Sequence, residues 1–184
     1  VAERDHVSRE SQDEWALTSQ TRAVAARDSG HFDKEIVSVT TPDGTVVSQD
    51  DGPRAGTTIE KLASLNPVFK PDGTVTAGNA CPLNDGAAAS LVMSADRAAE
   101  LGLKPRAKII AASAAGVEPE YMGIGPVPAI QKVLKAAGMT IEDIDLVEIN
   151  EAFAAQIIPS IDQTNIPLEK LNVQGGAIAL GHPF

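Results

Sequence analysis

Residues 125–160 read GPVPAIQKVLKAAGMTIEDIDLVEINEAFAAQIIPS, and their periodicity decides the fold class. Pro126 stands at a first helical position, where a missing N–H costs nothing, and Ile130, Val133, Leu134 and Ala137 recur at i, i+3, i+4 and i+7 before Gly138. That pattern predicts a helix with one apolar face. Residues 146–149 are strand-like, Asn150 stands where it can cap a second helix, and Phe153, Ile157 and Ile161 keep a common face along that helix. Pro159 is expected to kink or end it.

The same alternation extends toward the N-terminus. Residues 87–93 form a small-to-apolar run consistent with a buried strand, Ser94 caps an Ala-rich helix closed by Gly102, and 108–115 read as a second buried strand. Strand alternating with helix argues an α/β fold with a layered sheet. Further back, a Ser8 cap, acidic Glu10 and the Leu17 and Val24 face predict a helix over 9–28 that stops at Gly30. Residues 35–39 predict a short strand, turned by Pro42-Asp43-Gly44 toward 45–47 in a hairpin. Residues 50–78 mix Pro, Gly, Asp and Arg around one short helical piece near 58–64, the composition of connecting and binding surface. No internal repeat is evident.

Composition narrows the function classes. The 184 residues carry 15 Lys and Arg against 25 Asp and Glu, a net charge of −10, with no basic tract. Nucleic acid and anionic membrane surfaces are therefore poor partners. The longest nearly apolar stretch, 109–117, is far short of the roughly 20 residues that cross a bilayer. Lone Cys81 cannot close an intramolecular disulfide, and the first thirty residues lack an apolar signal core, so a reducing cytoplasm is expected. With aromatics at 3 %, the core must be built from Ala, Val, Ile and Leu, which suits tightly packed layers.

Three stretches can carry chemistry. Asn150-Glu151-Ala152-Phe153-Ala154 lies where a strand leads into a helix, and an Asn amide there either caps the helix or donates to a developing oxyanion. Residues 175–183, GGAIALGHP, let backbones approach closely and restrain His182 ahead of Pro183. With an ordinary pKa of about 6.5, such a His is either a general base or a structural turn residue. Residues 78–86, GNACPLNDG, form a tight polar loop in which Cys81 lacks a charged or His neighbour to activate it, so packing is its simpler role. His6 and His31 read as surface residues. Gly123-Ile124-Gly125 lacks the third glycine of a dinucleotide fingerprint, no P-loop is present, and three scattered His with no paired Cys suggest no metal site.

Taken jointly, the Asn-Glu-Ala-Phe-Ala box, the Gly-His-Pro box whose His lies 32 positions beyond Asn150 (182 − 150), the run at 84–89 and Met122-Gly123-Ile124-Gly125-Pro126 resemble the thiolase family. The resemblance covers essentially the whole chain, whereas a complete thiolase is roughly twice as long; this chain resembles its later-middle portion. It implies the thiolase fold, layered αβαβα from two similar βαβαβαββ halves, present here in part. Residues 1–83 would end the loop domain, 84–105 would return a strand and helix to the N-terminal half, and 106–184 would be a truncated C-terminal half. The strand at 87–93 would then lack its sheet neighbours, and the chain would be neither stable nor active alone.

By the same resemblance the activity is acyl transfer between coenzyme A thioesters, by thiolytic cleavage of a 3-ketoacyl-CoA or by condensation of acetyl-CoA, as in fatty acid and lipid metabolism. His182 matches the family His that activates a nucleophilic Cys, and Asn150 matches the Asn that holds the oxyanion water; both family cysteines fall outside this chain. Arg54 matches a basic position near the nucleotide end of coenzyme A, and Leu65, Ala77 and Cys81 match positions along its groove. At Cys81 many thiolases have Ser followed by Gly, where this chain has Cys followed by Pro82. Met122 and Phe153 match residues lining the acyl pocket. Coenzyme A is expected as substrate, with no permanently bound cofactor and no metal, in a homodimer or homotetramer. The alternatives are a non-catalytic acyl-CoA-binding or scaffold protein of thiolase architecture, and a decarboxylating condensing enzyme acting on acyl-carrier protein.

Overall fold

The computed structural model of the chain describes residues 1–183. Helix α1, Arg9–Asp28, begins at Ser8, whose hydroxyl accepts from Ser11 N at 3.0 Å and satisfies one of the free N–H groups of the first turn. Its buried positions include Trp15, Ala16, Ala23 and Ala26, and also Gln12, Asp13, Ser19 and Gln20. A helix that buries polar side chains on this scale must find partners for them, and Asp13, Ser19 and Gln20 find theirs in distant segments of the chain.

Strands β1, Val39–Thr40, and β2, Val46–Val47, pair antiparallel as a two-residue hairpin with Val39 opposite Val47. The strand expected at 35–39 is thus confined to its last residue and the one beyond. Helix α2, Ile59–Ala63, is capped by Thr58. Helix α3, Ala95–Glu100, is capped by Ser94, as expected. A 3-10 turn at Pro119–Ile124 leads into helix α4, Pro126–Ala137, which stops at Gly138. Helices α5, Ala154–Thr164, and α6, Ala177–Leu180, complete the chain.

One feature of α5 differs from the sequence expectation and one narrows it. Its N-cap position is held by Phe153, three residues past Asn150, so Asn150 is not the cap. Pro159 lies inside the helix without ending it, and the helix runs on to Asn165, whose left-handed backbone (φ +53°) returns its N–H to Ile161 O.

The buried strands expected at 87–93 and 108–115 form no ladder among the described residues. Leu91 and Val92 are 81 % and 70 % exposed, and Ile109 and Ile110 are exposed as well. A strand exists only against another strand's N–H and C=O groups, and none is offered to these segments here. Residues 146–149 keep a single parallel bridge, Val147 to Leu171.

The core lies where α1 packs against α2, α5 and α6, around Trp15, Ala16, Leu62, Ile157, Ile161, Leu171 and Ile178. The amphipathic face of α4 is only half covered, so this core is one-sided. Ile157 is completely buried at the contact of α5 with that cluster. In the full-length enzyme, Ile157→Ala should therefore cost about 2–5 kcal/mol by lost burial and cavity formation, seen as a lower urea midpoint with an unchanged slope.

Candidate active site

Residues 147–154 carry the first half of the site. Val147 N donates to Lys170 O and Asn172 N to Val147 O, both at 2.9 Å. Beyond this bridge a side chain continues the ladder: Asn172 Oδ1 accepts from Ile149 N, and its Nδ2 donates to Ile149 O, each at 2.9 Å. Residue 149 is thereby fixed at both of its backbone polar groups.

The next residue but one points into the core. Glu151 is fully buried, and its Oε1 accepts from Trp15 Nε1 at 3.0 Å and from Asn172 Nδ2 at 2.9 Å. Its Oε2 accepts from Ser19 Oγ at 2.6 Å and from Ile178 N at 3.1 Å. With Glu151 directed inward, Asn150 is exposed and lines a cavity.

Residues 152–154 are pinned from the opposite side. Cys81 N donates to Ala152 O at 3.0 Å, Ala80 forms an antiparallel bridge to Phe153, and Ala154 N donates to Asn79 O at 2.9 Å. A carbonyl from another segment, not the Asn150 amide, thus meets the first free N–H of α5. Asn79 is itself buried, donating to Asp13 Oδ1 at 2.9 Å and accepting from Thr76 N at 2.8 Å, while Arg9 pairs with Asp13 at 2.8 Å.

The Gly-His-Pro segment supplies the second half. A Cβ at Gly176 would fall 2.2 Å from Glu151 Cδ, so only glycine lets the start of α6 close on the carboxylate. Gly176 N also donates to Ser19 Oγ at 3.1 Å. After α6, Gly181 adopts φ +97°, and a Cβ there would lie 2.3 Å from Asn84 Nδ2. Asn84 Oδ1 accepts from His182 N at 3.1 Å, so the run at 84–86 holds the backbone that presents the imidazole.

These two halves meet at one cavity of about 760 Å³. Asn150 and His182 both line it, with Met122, Phe153, Gln156 and Phe69 contributing to the wall. Phe69 meets Phe153 edge-on at 6.0 Å, and Lys70 at the margin pairs with Glu3. A carboxamide and an imidazole on the wall of a largely apolar cavity can orient a carbonyl, hold a water and move a proton.

The chain matches the family models "Thiolase, N-terminal domain" over residues 1–96 and "Thiolase, C-terminal domain" over residues 103–184. It belongs to the thiolase family. A "Probable acetyl-CoA acyltransferase" of Staphylococcus epidermidis is 52 % identical over the whole chain, which spans 48 % of that relative. The dimeric peroxisomal thiolase of Saccharomyces cerevisiae superposes with a TM-score of 0.96 at 46 % identity, over 99 % of this chain and 47 % of that one. Human mitochondrial 3-ketoacyl-CoA thiolase in complex with CoA does so with a TM-score of 0.94 at 46 % identity, over 99 % and 46 %. The chain therefore spans about half the length of the relatives it matches, and what it shows is the thiolase fold over that half.

The four residues expected along a coenzyme A groove stand apart from the cavity. Arg54 and Ala77 are exposed, Leu65 is 38 % exposed, and Cys81 is half-buried; none is among the described residues of the cavity wall. Arg54 N donates to Gln20 Oε1 at 2.8 Å, which fixes its backbone on α1. Leu65 and Leu62 close over the turn at Gly78, next to Ala77. His6 and His31 are exposed, as expected, and no cluster of metal-ligating side chains occurs among the described residues. No helix among them is long and apolar enough to cross a membrane.

Burial pushes the Cys81 thiol above its ordinary pKa. Partial burial, with a smaller contribution from the Glu151 charge, likewise raises the Glu148 carboxyl. Sequence reasoning missed Glu151 itself, together with Ser19, Asn172 and Asn84. One signal was available: Trp15, Ser19, Ala23 and Ala26 recur at helical spacing, which places Ser19 on a face otherwise made of core residues.

The Cys81 shift has a kinetic consequence. A raised pKa means less thiolate at a given pH, so the pH profile for alkylation of Cys81 by iodoacetamide should have its midpoint above about pH 8.5, the midpoint of an ordinary thiol. A rate that reaches its plateau below that pH would show an activated thiol instead.

Proposed function

We propose that this chain contributes the activating and oxyanion-stabilising half of an enzyme that transfers acyl groups between coenzyme A thioesters, by thiolysis of a 3-ketoacyl-CoA or condensation of acetyl-CoA. The observation that carries the reading is the convergence of Asn150 and His182 on one cavity whose wall includes Met122 and Phe153. It is supported by relatives named for acyl-CoA chemistry and by a similar structure that holds CoA.

In this reading His182 takes the proton of a nucleophilic cysteine contributed by sequence outside these 184 residues. In the condensation direction the thiolate attacks the thioester carbonyl of acetyl-CoA, and negative charge develops on the carbonyl oxygen. His182 and a water held by the Asn150 carboxamide stabilise that charge, and the coenzyme A thiolate leaves as the acyl-enzyme forms. Met122 and Phe153 offer polarizable and aromatic surface to the acyl chain beside sulfur. Cys81 is not the nucleophile: its thiol is off the cavity and its pKa is raised.

Arg54, Leu65, Ala77 and Cys81 are assigned to the coenzyme A groove. Because the net charge of −10 repels a phosphate-rich molecule at long range, local donors such as Arg54 must bring it in, with screening beyond about 8 Å at physiological salt. The domain division at 83 and 105, assembly as a homodimer or homotetramer, a cytoplasmic setting and a role in fatty acid metabolism belong to the same reading. The isolated chain is inactive in it.

Two substitutions in the full-length enzyme test the assignment. His182→Ala should lower acyl transfer to free coenzyme A by about a hundredfold or more in kcat, the scale of losing a positioned base, and near-normal turnover would remove His182 from the mechanism. Asn150→Ala should lower kcat far more than it raises KM, as expected for a group acting on the transition state. A change confined to KM would reduce Asn150 to a binding or packing role.

A further inference from the structure

The buried carboxylate beside Asn150 has no place in the mechanism above, yet it ties the segment of Asn150 to the helix that leads to His182. Glu151 is 0 % exposed, and each of its oxygens accepts two hydrogen bonds. On the Oε1 side, Asn172 Nδ2 donates both to Glu151 and to Ile149 O, while Asn172 Oδ1 accepts from Ile149 N. Asn150 is therefore flanked by two residues locked to the same amide. On the Oε2 side, Ile178 N lies in α6, and Ser19 Oγ, which donates to the carboxylate, accepts from Gly176 N at the start of that helix. Only Gly181 separates the end of α6 from His182. The path from one catalytic side chain to the other thus runs through one carboxyl group and two partners, Ser19 and Asn172.

We propose that Glu151 is the positioning residue of the acyl-transfer site, setting the Asn150 carboxamide and the His182 imidazole in register by holding both of their segments on a single carboxylate. The inference rests on the acyl-transfer reading and extends it to how the site is kept in shape. Four donors aimed at two oxygens suit an ionised carboxylate, which only accepts. A carboxamide of the same shape must turn an NH₂ toward one pair of donors, where N–H faces N–H or O–H. Glu151→Gln thus keeps the volume and removes half of the clamp. Glu151→Asp keeps the charge but withdraws it from its partners by one methylene.

The test is a double-mutant cycle in the full-length enzyme. Glu151→Gln should lower kcat about tenfold or more, since a misplacement near 1 Å already costs about a hundredfold, while KM for the thioester stays within about twofold. In an Asn150→Ala background the same substitution should cost less, because one of the two groups it positions is gone. Full additivity of the two losses, or a lowered melting temperature with kcat intact, would overturn the proposal and leave Glu151 a purely structural residue. Should Glu151→Gln not fold, Ser19→Ala breaks only the α6 side. It should lower kcat at constant KM and couple to His182→Ala, and additivity there would likewise overturn the proposal. If Asn150→Ala and His182→Ala themselves leave kcat unchanged, the acyl-transfer reading fails, a result distinct from failure of the positioning role.

Discussion

Four neutral donors converge on the buried carboxylate of Glu151: an indole N–H, a hydroxyl, a carboxamide and a backbone N–H. A charge taken out of water is tolerated only when its lone pairs are filled, and hydrogen bonds to a charged group are worth about 1.5–3 kcal/mol each. These donors come from α1, from the turn before α6 and from α6 itself, so satisfying one side chain forces three distant stretches of the chain together. Gly176 is part of the same constraint, because any Cβ there would collide with the carboxylate. The site stands on this cluster as much as on the apolar core beside it.

A second polar cluster works in parallel. Arg9, Asp13 and Asn79 form a chain of contacts from α1 to the loop whose carbonyl receives the first N–H of α5. Both clusters use polar side chains on the buried face of α1, which explains why this helix carries Asp13 and Ser19 where a simple amphipathic helix would carry Leu. Function and folding are joined here: the bonds that dock α1 also aim Asn150 at the cavity and direct α6 toward His182.

The cavity offers a division of labour between its walls. Met122, Phe153 and Phe69 provide apolar and aromatic surface, while Asn150 and His182 provide a donor and a titratable base. Nothing in the chain's global charge favours a phosphorylated ligand, so in the acyl-transfer reading recognition is local. Cys81, the single thiol of the chain, is tied to the start of α5 by its backbone bond to Ala152, and desolvation raises the pKa of its sulfur.

Periodicity and turn chemistry alone determined α1, α2, α3 and α4, because each has a local cap, stop or apolar stripe that needs no distant partner. The two boxes around Asn150 and His182 were legible for the same reason: their residues and order are written in the chain, and their joint resemblance to thiolases identified the family. Strand formation was not legible in that sense. Residues 87–93 and 108–115 have the right composition, but a ladder requires a neighbour; the resemblance already implied that 87–93 would lack its own, and the folded chain shows the same of 108–115 among the described residues. Tertiary structure also decided that Asn150 faces a cavity instead of capping α5, since the carbonyl of Asn79, 75 residues earlier (154 − 79), reaches Ala154 N first. Hydrogen bonds between residues so far apart in sequence leave no local periodicity, and for that reason the Glu151 cluster emerges only when the chain is folded.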